Sequence, residues 1–290
     1  MINRITASLI HRLGLPFQYV APNGHNEPGA LALKEMKERV AGIPRGVPGE
    51  VSVGGWHLAY VDAPALVSCF EVAVVKGWND FVARREDPLI LDCGANIGVT
   101  VLHYKRTYPK ARIIAFEPDK EICKVLRKNL AANSATDVEV LEAAVWTAEG
   151  QYAFVAEGAD GSRLAPADAA PDAVADGGLD KYLVNTVRLA DYLAEGEVDF
   201  IKLDIEGAEF QVLVDCADLL RNVHSMAIEF HMMSGDARKL AAAFEALSDA
   251  GFNLSINSYG PWVDLTHLPE RKPPGDLSFD QYILACAWRP

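Results

Sequence analysis

Short apolar segments with strand character alternate with helical segments from residue 88 to the end of the chain. Three of them, 89–93 (LILDC), 111–117 (ARIIAFE) and 198–205 (VDFIKLDI), are largely apolar runs typical of strands buried on both faces. Strands that alternate with helices over short connections predict a mainly parallel sheet with helices on both faces. We therefore expect a doubly wound α/β fold with a seven-stranded sheet.

The strand segments 252–259 and 279–288 have no helix between them. They therefore predict an antiparallel pair at one edge of the sheet, with an antiparallel last strand. Earlier in the chain, the segment 138–145 (VEVLEAAV) predicts one further strand of the parallel part.

The chain is expected to divide into an N-terminal extension, residues 1–85, and a main domain, residues 86–290. For the extension, the sequence predicts a short amphipathic helix and a small β-hairpin at 50–63, and the alternating segment 69–77 is interpreted as further strand. We expect the extension to pack on the main domain. Residues 156–180 are rich in Ala, Asp, Gly and Pro, which indicates a long, lid-like surface loop.

Composition limits the partners of the chain. Its formal net charge of −13 over 290 residues, without a basic run, argues against a nucleic-acid partner. Its five cysteines are scattered without a C-x-x-C spacing, so a reducing, cytoplasmic compartment is expected. No run approaches the ~20 apolar residues of a membrane span. A homo-oligomer formed through residues 1–85 stays open.

The segment DCGANIG places Asp92, Gly94, Asn96 and Gly98 where a buried strand turns into a helix. In open parallel sheets, ligands bind beyond the carboxyl ends of the strands, and glycines there let the backbone approach a ligand. Two interpretations are open: a nucleotide-type cofactor over the turn, or a connection that simply needs small residues. The G-x-x-x-G spacing departs from the G-x-G-x-x-G of dinucleotide sites, and Asp92 would repel a pyrophosphate.

Glu117 stands at the end of the next strand segment. A carboxylate at that position can accept hydrogen bonds from two vicinal ribose hydroxyls. Taken alone, Glu117 could equally be a solvated surface residue. Together with the glycine-rich turn, it favours the ribose interpretation.

Four segments of the chain resemble motifs of one enzyme class. LDCGANIGVT and IIAFEPD resemble the first two motifs of class I S-adenosylmethionine-dependent methyltransferases. VDFIKLDIEGAEFQVL and AIEFH resemble the FkbM family within that class. The resemblance, which covers roughly residues 66–287, implies a Rossmann-like fold, S-adenosylmethionine as cofactor, and methyl transfer to a hydroxyl of a sugar, polyketide or glycolipid-type small molecule.

Carried over by position, the resemblance implies a cofactor site around the glycine-rich turn. Asp92 would lie beneath the cofactor, Glu117 would bind its ribose diol, and Asp204 would face its methionine portion. The residues implied to bind the cofactor are Asp92, Gly94, Asn96, Gly98, Glu117, Pro118, Asp119, Ala144 and Asp204.

Candidate catalytic residues lie at the ends of two later strands. His231 is the leading candidate for a general base, because the unperturbed pKa of histidine lies near neutrality; the alternative is a satisfied histidine that ends a strand. Asp204 and Glu206 are the other catalytic candidates. Lys202 lies deeper on the same strand face and is interpreted as a structural ion-pair partner. Glu209 opens the next helix, where the helix dipole favours acids.

The preferred interpretation includes no metal. The alternative is a divalent cation held by Asp204, Glu206 and His231, which would polarise an acceptor diol. Adjacent acids at the start of a helix have a simpler explanation in the helix dipole.

Substrate contacts are expected from Ser162 in the lid-like loop, from Glu229 and from Trp262. The expected partner is then a small-molecule acceptor. Two other functions stay open. One is an NAD(P)-dependent oxidoreductase of Rossmann type, and the other is a non-catalytic cofactor-binding module.

Overall fold

The structure is a computed structural model that describes residues 27–156, 162–164, 180–233, 235–259 and 281–289. The predicted N-terminal amphipathic helix and Trp262 lie outside the described residues. The first described elements are α1 (Glu27–Arg39), β1 (Gly49–Val53), β2 (Trp56–Tyr60), α2 (Ala63–Phe70) and a π-helix (Glu71–Lys76). The elements that follow are β3 (Leu89–Cys93), α3 (Val99–Thr107), β4 (Arg112–Phe116), α4 (Lys120–Ala132), β5 (Val138–Leu141), β6 (Ala144–Trp146), β7 (Gly150–Ala156), β8 (Arg163–Leu164), β9 (Asp180–Arg188), α5 (Leu189–Ala194), β10 (Val198–Leu203), α6 (Glu209–Asp215), a 3₁₀ helix (Ala217–Asn222), β11 (Val223–Met232), α7 (Ala237–Asp249), β12 (Asn253–Tyr259) and β13 (Gln281–Trp288).

The main sheet has seven strands in the order β12-β13-β11-β10-β3-β4-β5. The five strands from β11 to β5 are parallel to one another. β13 lies between β11 and β12 and runs antiparallel to both. The predicted doubly wound, mainly parallel fold with an antiparallel last strand is therefore confirmed.

Adjacent residues of β3 pack on opposite faces of the sheet. Ile90 belongs to a buried cluster with Met36 and Phe70, so α1 and α2 cover this face together with α3 and α4. Leu91 belongs to the other cluster, with Leu213 of α6 and Leu247 of α7. A continuous apolar run is needed here because both faces of the strand are covered.

The predicted single strand at 138–145 is wrong in its second half. β5 pairs with β4 only as far as Leu141 opposite Phe116. The last hydrogen bond of this ladder runs from the N–H of Glu117 to the carbonyl oxygen of Leu141, and α4 begins three residues later, at Lys120. The chain then forms β6, which pairs in parallel with β9 of a separate four-stranded sheet, ordered β6-β9-β7-β8.

The segment 156–180, interpreted as a long, lid-like surface loop, contains a short strand at residues 163–164, because β8 pairs antiparallel with β7. β7 and β9, which flank this segment, pair antiparallel over the whole length of β7. Residues 157–161 and 165–179 are not described.

The strand predicted at 69–77 is also wrong, since this segment is helical. Asp62 caps α2 by accepting a 2.8 Å hydrogen bond from the N–H of Ala65. The helix continues through the π-helix and ends at Gly77, which has φ 59°. The buried residues Leu66, Phe70 and Val74 follow each other at intervals of four, a helical spacing that the local alternation of valines obscures.

Among the described residues, no helix is both long enough and apolar enough to cross a membrane.

Candidate active site

A cavity of about 650 Å³ opens where β3, β4, β10 and β11 end. Residues from the glycine-rich turn line one part of it, and Asp204, Glu206, Glu229 and His231 line another. The wall also includes Ser162 beside β8, so the small sheet contributes to the same space. The position agrees with the rule that ligands of open parallel sheets bind beyond the carboxyl ends of the strands.

Gly94 has a positive φ of 84°, and a Cβ atom built on it would overlap the backbone carbonyl oxygen of Asp204. Glycine is therefore required at this position for two reasons, conformation and close approach of two backbones. Asn96 also has a positive φ, 48°. The turn is a tight structure whose shape depends on the strand next to it.

The five N–H groups of residues 94–98 all donate to acceptors of the protein itself. The acceptors, in chain order, are the carbonyl oxygen of Phe116 for the first two, then Glu117 Oε2, Asn96 Oδ1 and the carbonyl oxygen of Ala95. A pyrophosphate would need such N–H groups free to bind its oxygens. This turn does not offer them.

Beneath the turn, Lys202 holds two carboxylates and one carbonyl oxygen. Its Nζ donates a 2.6 Å hydrogen bond to the carbonyl oxygen of Gly94, and lies 3.2 Å from Asp204 Oδ2 and 3.6 Å from Asp92 Oδ1. Burial alone would lower the pKa of Lys202, but the two carboxylates outweigh it and raise the pKa. The geometry agrees with an ion-pair role for Lys202.

Asp92 is completely buried, and its Oδ2 accepts a hydrogen bond from the Thr100 hydroxyl at 2.5 Å. Burial raises its pKa, although Lys202 acts in the opposite direction. Asp92 therefore fixes the start of α3 against the end of β10, and it does not itself line the cavity.

Glu117 lines the cavity, and each of its carboxylate oxygens accepts one backbone N–H. Oε2 accepts from Asn96 at 2.9 Å, and Oε1 accepts from Asp119 at 2.9 Å. Burial raises the pKa of Glu117 to about 7, although these two hydrogen bonds lower it. A carboxylate oxygen has more than one acceptor position, so both oxygens retain capacity for a ligand hydroxyl.

Asp119 caps α4, because its Oδ1 accepts hydrogen bonds from the N–H groups of Glu121 and Ile122 at 2.8 and 3.2 Å. Its position in the cavity wall, with Pro118, thus has a structural cause. Ala144, the first residue of β6, lines the cavity on the side of the small sheet.

His231 is 2% exposed and is fixed by Glu209. Its Nδ1 lies 3.0 Å from Glu209 Oε1, and Glu209 is itself fully buried. The same oxygen of Glu209 accepts from the N–H of Ile205 at 3.0 Å, and both oxygens accept from the N–H of Gly207 at 3.1 Å. Glu209 therefore joins the imidazole to the loop that follows β10.

The other ring nitrogen of His231 faces three more carboxylates. Nε2 lies 3.3 Å from Glu206 Oε2, 3.8 Å from Asp204 Oδ1 and 3.8 Å from Glu229 Oε1. Glu206 has a left-handed backbone, with φ 58°, a conformation that is costly for a residue with a side chain.

The charges around His231 change its acid–base behaviour. Burial alone would lower the pKa of His231, but Glu209, followed by Glu206 and Asp204, raises it to about 10. Burial also raises the pKa of Glu206 above its ordinary value; His231 acts against this, and the surrounding carboxylates add to it. The pKa of His231 therefore lies above the unperturbed histidine value on which the sequence argument rests, because the sequence does not reveal how many carboxylates converge on this ring.

The structure brings most of the predicted site residues to one cavity. Those in its wall are Gly94, Asn96, Glu117, Pro118, Asp119, Ala144, Ser162, Asp204, Glu206, Glu229 and His231. Gly98 contributes through conformation, with φ 86°, and a Cβ there would meet Leu126. Atoms of Asp204, Glu206 and His231 lie within 4.8 Å of one another, as the alternative metal site requires.

Sequence reasoning missed one wall of the cavity. Its residues come from α2, the π-helix and the segment that follows them: Ser68, Cys69, Val72, Lys76, Trp78 and Asn79. Positions 69, 72 and 76 repeat at helical spacing, a signal hidden by the interpretation of 69–77 as a strand. Tyr282 of β13 was missed as well, and its ring packs edge-on against His231 at 5.4 Å between centroids.

Comparison with known proteins gives a family and several relatives. The sequence model described as "Methyltransferase FkbM domain" matches residues 92–254. The chain is 33% identical over 207 residues to the methyltransferase sdnD of Sordaria araneosa, covering 61% of this chain and 78% of that protein. It is 25% identical over 159 residues to the 2-O-methyltransferase NoeI of Sinorhizobium fredii, covering 51% of this chain and 65% of that protein.

Among solved structures, the SAM-dependent methyltransferase from Agrobacterium tumefaciens aligns with a TM-score of 0.46 at 11% identity, covering 86% of this chain and 72% of that chain. The family match itself begins at the acid of the glycine-rich turn and ends in β12, and so takes in both the turn and the carboxylate–histidine cluster. The chain therefore belongs to the FkbM methyltransferase family.

Proposed function

We propose that this methyltransferase transfers a methyl group from S-adenosylmethionine to a hydroxyl of a small molecule of the sugar, polyketide or glycolipid type. The observation that carries the proposal is the shared cavity. Its wall contains the glycine-rich turn with Glu117 at one part and the Asp204, Glu206 and His231 cluster at another. A cofactor over the turn would therefore present its reactive end to groups that can manage a proton.

The turn fits this cofactor better than a dinucleotide. All five of its N–H groups are used inside the protein, which removes the usual pyrophosphate site of an NAD(P)-dependent oxidoreductase. Glu117 keeps acceptor capacity for a ribose diol. The close approach of Gly94 to Asp204 sets the turn against the end of β10, where the amino-acid portion would lie.

When bound, S-adenosylmethionine supplies a methyl group on a positively charged sulfur. The carboxylates of Asp204, Glu206 and Glu229 favour a positive charge in this part of the cavity. Lys202 compensates part of that charge below Asp204 and keeps its carboxylate in place.

S-adenosylmethionine, which the glycine-rich turn and Glu117 would hold, would supply the methyl group for an in-line displacement, and a neutral thioether would be the leaving group. The hydroxyl proton goes to Glu206 in its ionised form, which the positive charge of His231 favours. Alignment of the two reactants accounts for ~7–11 kcal/mol of the barrier, and proton removal for about 10²–10⁴-fold in rate. His231 and Asp204 act mainly by holding Glu206 and the acceptor in position.

A hydroxyl acceptor is supported by two observations. The NoeI protein, which this chain resembles, is named a 2-O-methyltransferase. The acceptor would lie at the part of the cavity lined by Asp204, Glu206, Glu229 and His231, called here the acceptor part. Its carboxylate oxygens accept hydrogen bonds from hydroxyl groups of polar small molecules.

Two measurements test the proposal. Isothermal titration of the purified chain with S-adenosylhomocysteine and with NAD should give binding of the thioether alone; binding of NAD alone would overturn the proposal. Incubation with small-molecule extracts and methyl-labelled S-adenosylmethionine, followed by mass spectrometry, should give a labelled ether. Glu206→Gln is the matched control for background labelling. Cofactor binding without transfer to any acceptor would favour a non-catalytic module.

A further inference from the structure

One imidazole nitrogen and two carboxylate oxygens converge at the acceptor part of the cavity. They belong to His231, Asp204 and Glu206, and one atom of each lies within 4.8 Å of the others. We propose that these three residues bind a hard divalent cation, Mn²⁺ or Mg²⁺, with the remaining coordination positions open to the cavity.

The spacing fits octahedral coordination. Ligand atoms about 2.1 Å from an octahedral ion lie about 3.0 Å apart when adjacent and about 4.2 Å apart when opposite. His231 Nε2 is 3.3 Å from Glu206 Oε2 and 3.8 Å from Asp204 Oδ1. Both separations lie between the adjacent and the opposite values, and all three ligand atoms lie within 4.8 Å of one another.

The orientation of the imidazole is an observation independent of the acids around it. Nδ1 is bonded to Glu209 at 3.0 Å, so the buried ring can turn only Nε2 towards the cluster. Histidines that bind metals are held in this way, with a carboxylate on the second nitrogen.

The two oxygens of the Asp204 carboxylate face different partners. Its Oδ2 lies 3.2 Å from Lys202 Nζ, while its Oδ1 faces His231. One oxygen is thus anchored below the cavity and the other is presented to the cation. The two carboxylate oxygens, completed by water or acceptor oxygens, are donors that suit Mn²⁺ or Mg²⁺, and these oxygens outnumber the single imidazole.

The cation would hold two neighbouring oxygens of the acceptor, so the favoured substrates carry a vicinal diol or a hydroxyl next to a carbonyl. This role rests on the proposed methyl transfer. The binding of the cation does not, because its ligands belong to the chain alone.

Electron paramagnetic resonance of Mn²⁺ tests the site without turnover. Titration of Mn²⁺ alone into chelator-treated protein should remove the signal of free Mn²⁺, and echo-modulation spectra should show coupling to one imidazole nitrogen. Mg²⁺ should compete. Glu206→Gln should weaken uptake about tenfold or more, and Glu209→Gln, which acts through His231, about 10–100-fold. Glu121→Gln, an exposed acid paired with Lys124 on α4, should bind like the wild type.

His231→Gln should abolish the nitrogen coupling. If that variant does not fold, the wild-type coupling and the Glu206→Gln titration decide. Absence of uptake at millimolar Mn²⁺, uptake without nitrogen coupling, or uptake equal in wild type and Glu206→Gln would each overturn the site. Labelled transfer that persists with chelator, together with failed Mn²⁺ uptake, would remove the cation and leave the proposed function. Failure to bind S-adenosylhomocysteine would remove the proposed function whatever the Mn²⁺ result.

Discussion

The ammonium group of Lys202 donates a 2.6 Å hydrogen bond to the carbonyl oxygen of Gly94. This bond fastens the glycine-rich turn after β3 to the strand β10 beside it. The same ammonium is the partner of Asp92 and Asp204, and both Lys202 and Asp92 are buried. The shape of the turn and the charge balance beneath it therefore depend on one side chain.

Lys202→Met should lower the free energy of unfolding by about 3–5 kcal/mol, because it leaves Asp92 as a buried charge without its cation. Urea unfolding measures the loss. The double variant Lys202→Met with Asp92→Asn should recover part of it, since the uncompensated charge is then gone. A single variant that costs less than about 1 kcal/mol, a value typical of surface pairs, would contradict the assigned role.

Gly94→Ala should prevent binding of S-adenosylhomocysteine, because the new Cβ would overlap the carbonyl oxygen of Asp204. Gly42→Ala is the matched control: Gly42 has a similar φ of 77°, but nothing lies within 4 Å of its Cβ position. Gly42→Ala should lower the free energy of unfolding by only the ~1–2 kcal/mol of left-handed backbone, and it should bind S-adenosylhomocysteine like the wild type. Calorimetric titration and urea unfolding of both variants separate the effect of the overlap with Asp204 from the effect of the left-handed backbone. Equal behaviour of the two would show that close approach is unimportant.

The pKa of Glu117 near 7 makes cofactor binding pH-dependent. The ionised carboxylate accepts two ribose hydroxyls better than the protonated group, so affinity should rise with pH up to about 7 and then level off. Below that pH, the dissociation constant should increase by at most about tenfold per pH unit. Titrations with S-adenosylhomocysteine over about three pH units around the pKa, from roughly pH 5.5 to 8.5, measure how the dissociation constant depends on pH.

Glu117→Gln should lose this pH dependence, because an amide does not titrate. It should also bind S-adenosylhomocysteine more weakly, because the single glutamine oxygen can satisfy only one of the N–H groups of Asn96 and Asp119. The stability of the cofactor-free fold changes with pH in the opposite direction, falling as the pH rises. Since burial raises the pKa of Glu117 from 4.5 to about 7, its contribution to stability is full below 4.5 and is lost as the pH rises through about 7. A wild-type affinity that falls with rising pH would contradict the assignment.

Glu206→Gln should reduce kcat by about 10²–10⁴-fold on the acceptor found by extract labelling, because it removes the proton acceptor. Affinity for S-adenosylhomocysteine should stay within about threefold, below 1 kcal/mol, since Glu206 lies at the acceptor part of the cavity. Steady-state kinetics and titration together measure both. A loss of cofactor affinity with unchanged kcat would place Glu206 on the cofactor instead.

The sequence predicts the sheet well, and it places the glycine-rich turn and Glu117 at strand ends that line one cavity, for identifiable reasons. Residues 89–93 and 198–205 are apolar because both faces of their strands are covered, and strand ends carry the polar groups. The acid after β4 and the glycines after β3 follow from fixed positions in this topology. Their local sequence is enough to place them.

The remaining features depend on contacts between distant residues. The end of β5 is set by where β4 stops offering a partner, which no property of residues 138–145 reveals. The helix at 69–76 is favoured by burial of Leu66, Phe70 and Val74 under the sheet. The pKa of His231 depends on Glu209 and Glu206, residues from another strand end. Such tertiary effects override local alternation and unperturbed pKa values.

The bond between Lys202 and Gly94 joins residues 108 positions apart in the chain. During synthesis the glycine-rich turn leaves the ribosome first, and at 5–20 residues per second the lysine follows about 5–20 s later. For that interval Asp92 has no ammonium to face and β3 has no β10 beside it. The nascent chain therefore cannot hold its cofactor until most of the protein has been made, and the cofactor can stabilise only chains that have already closed the sheet.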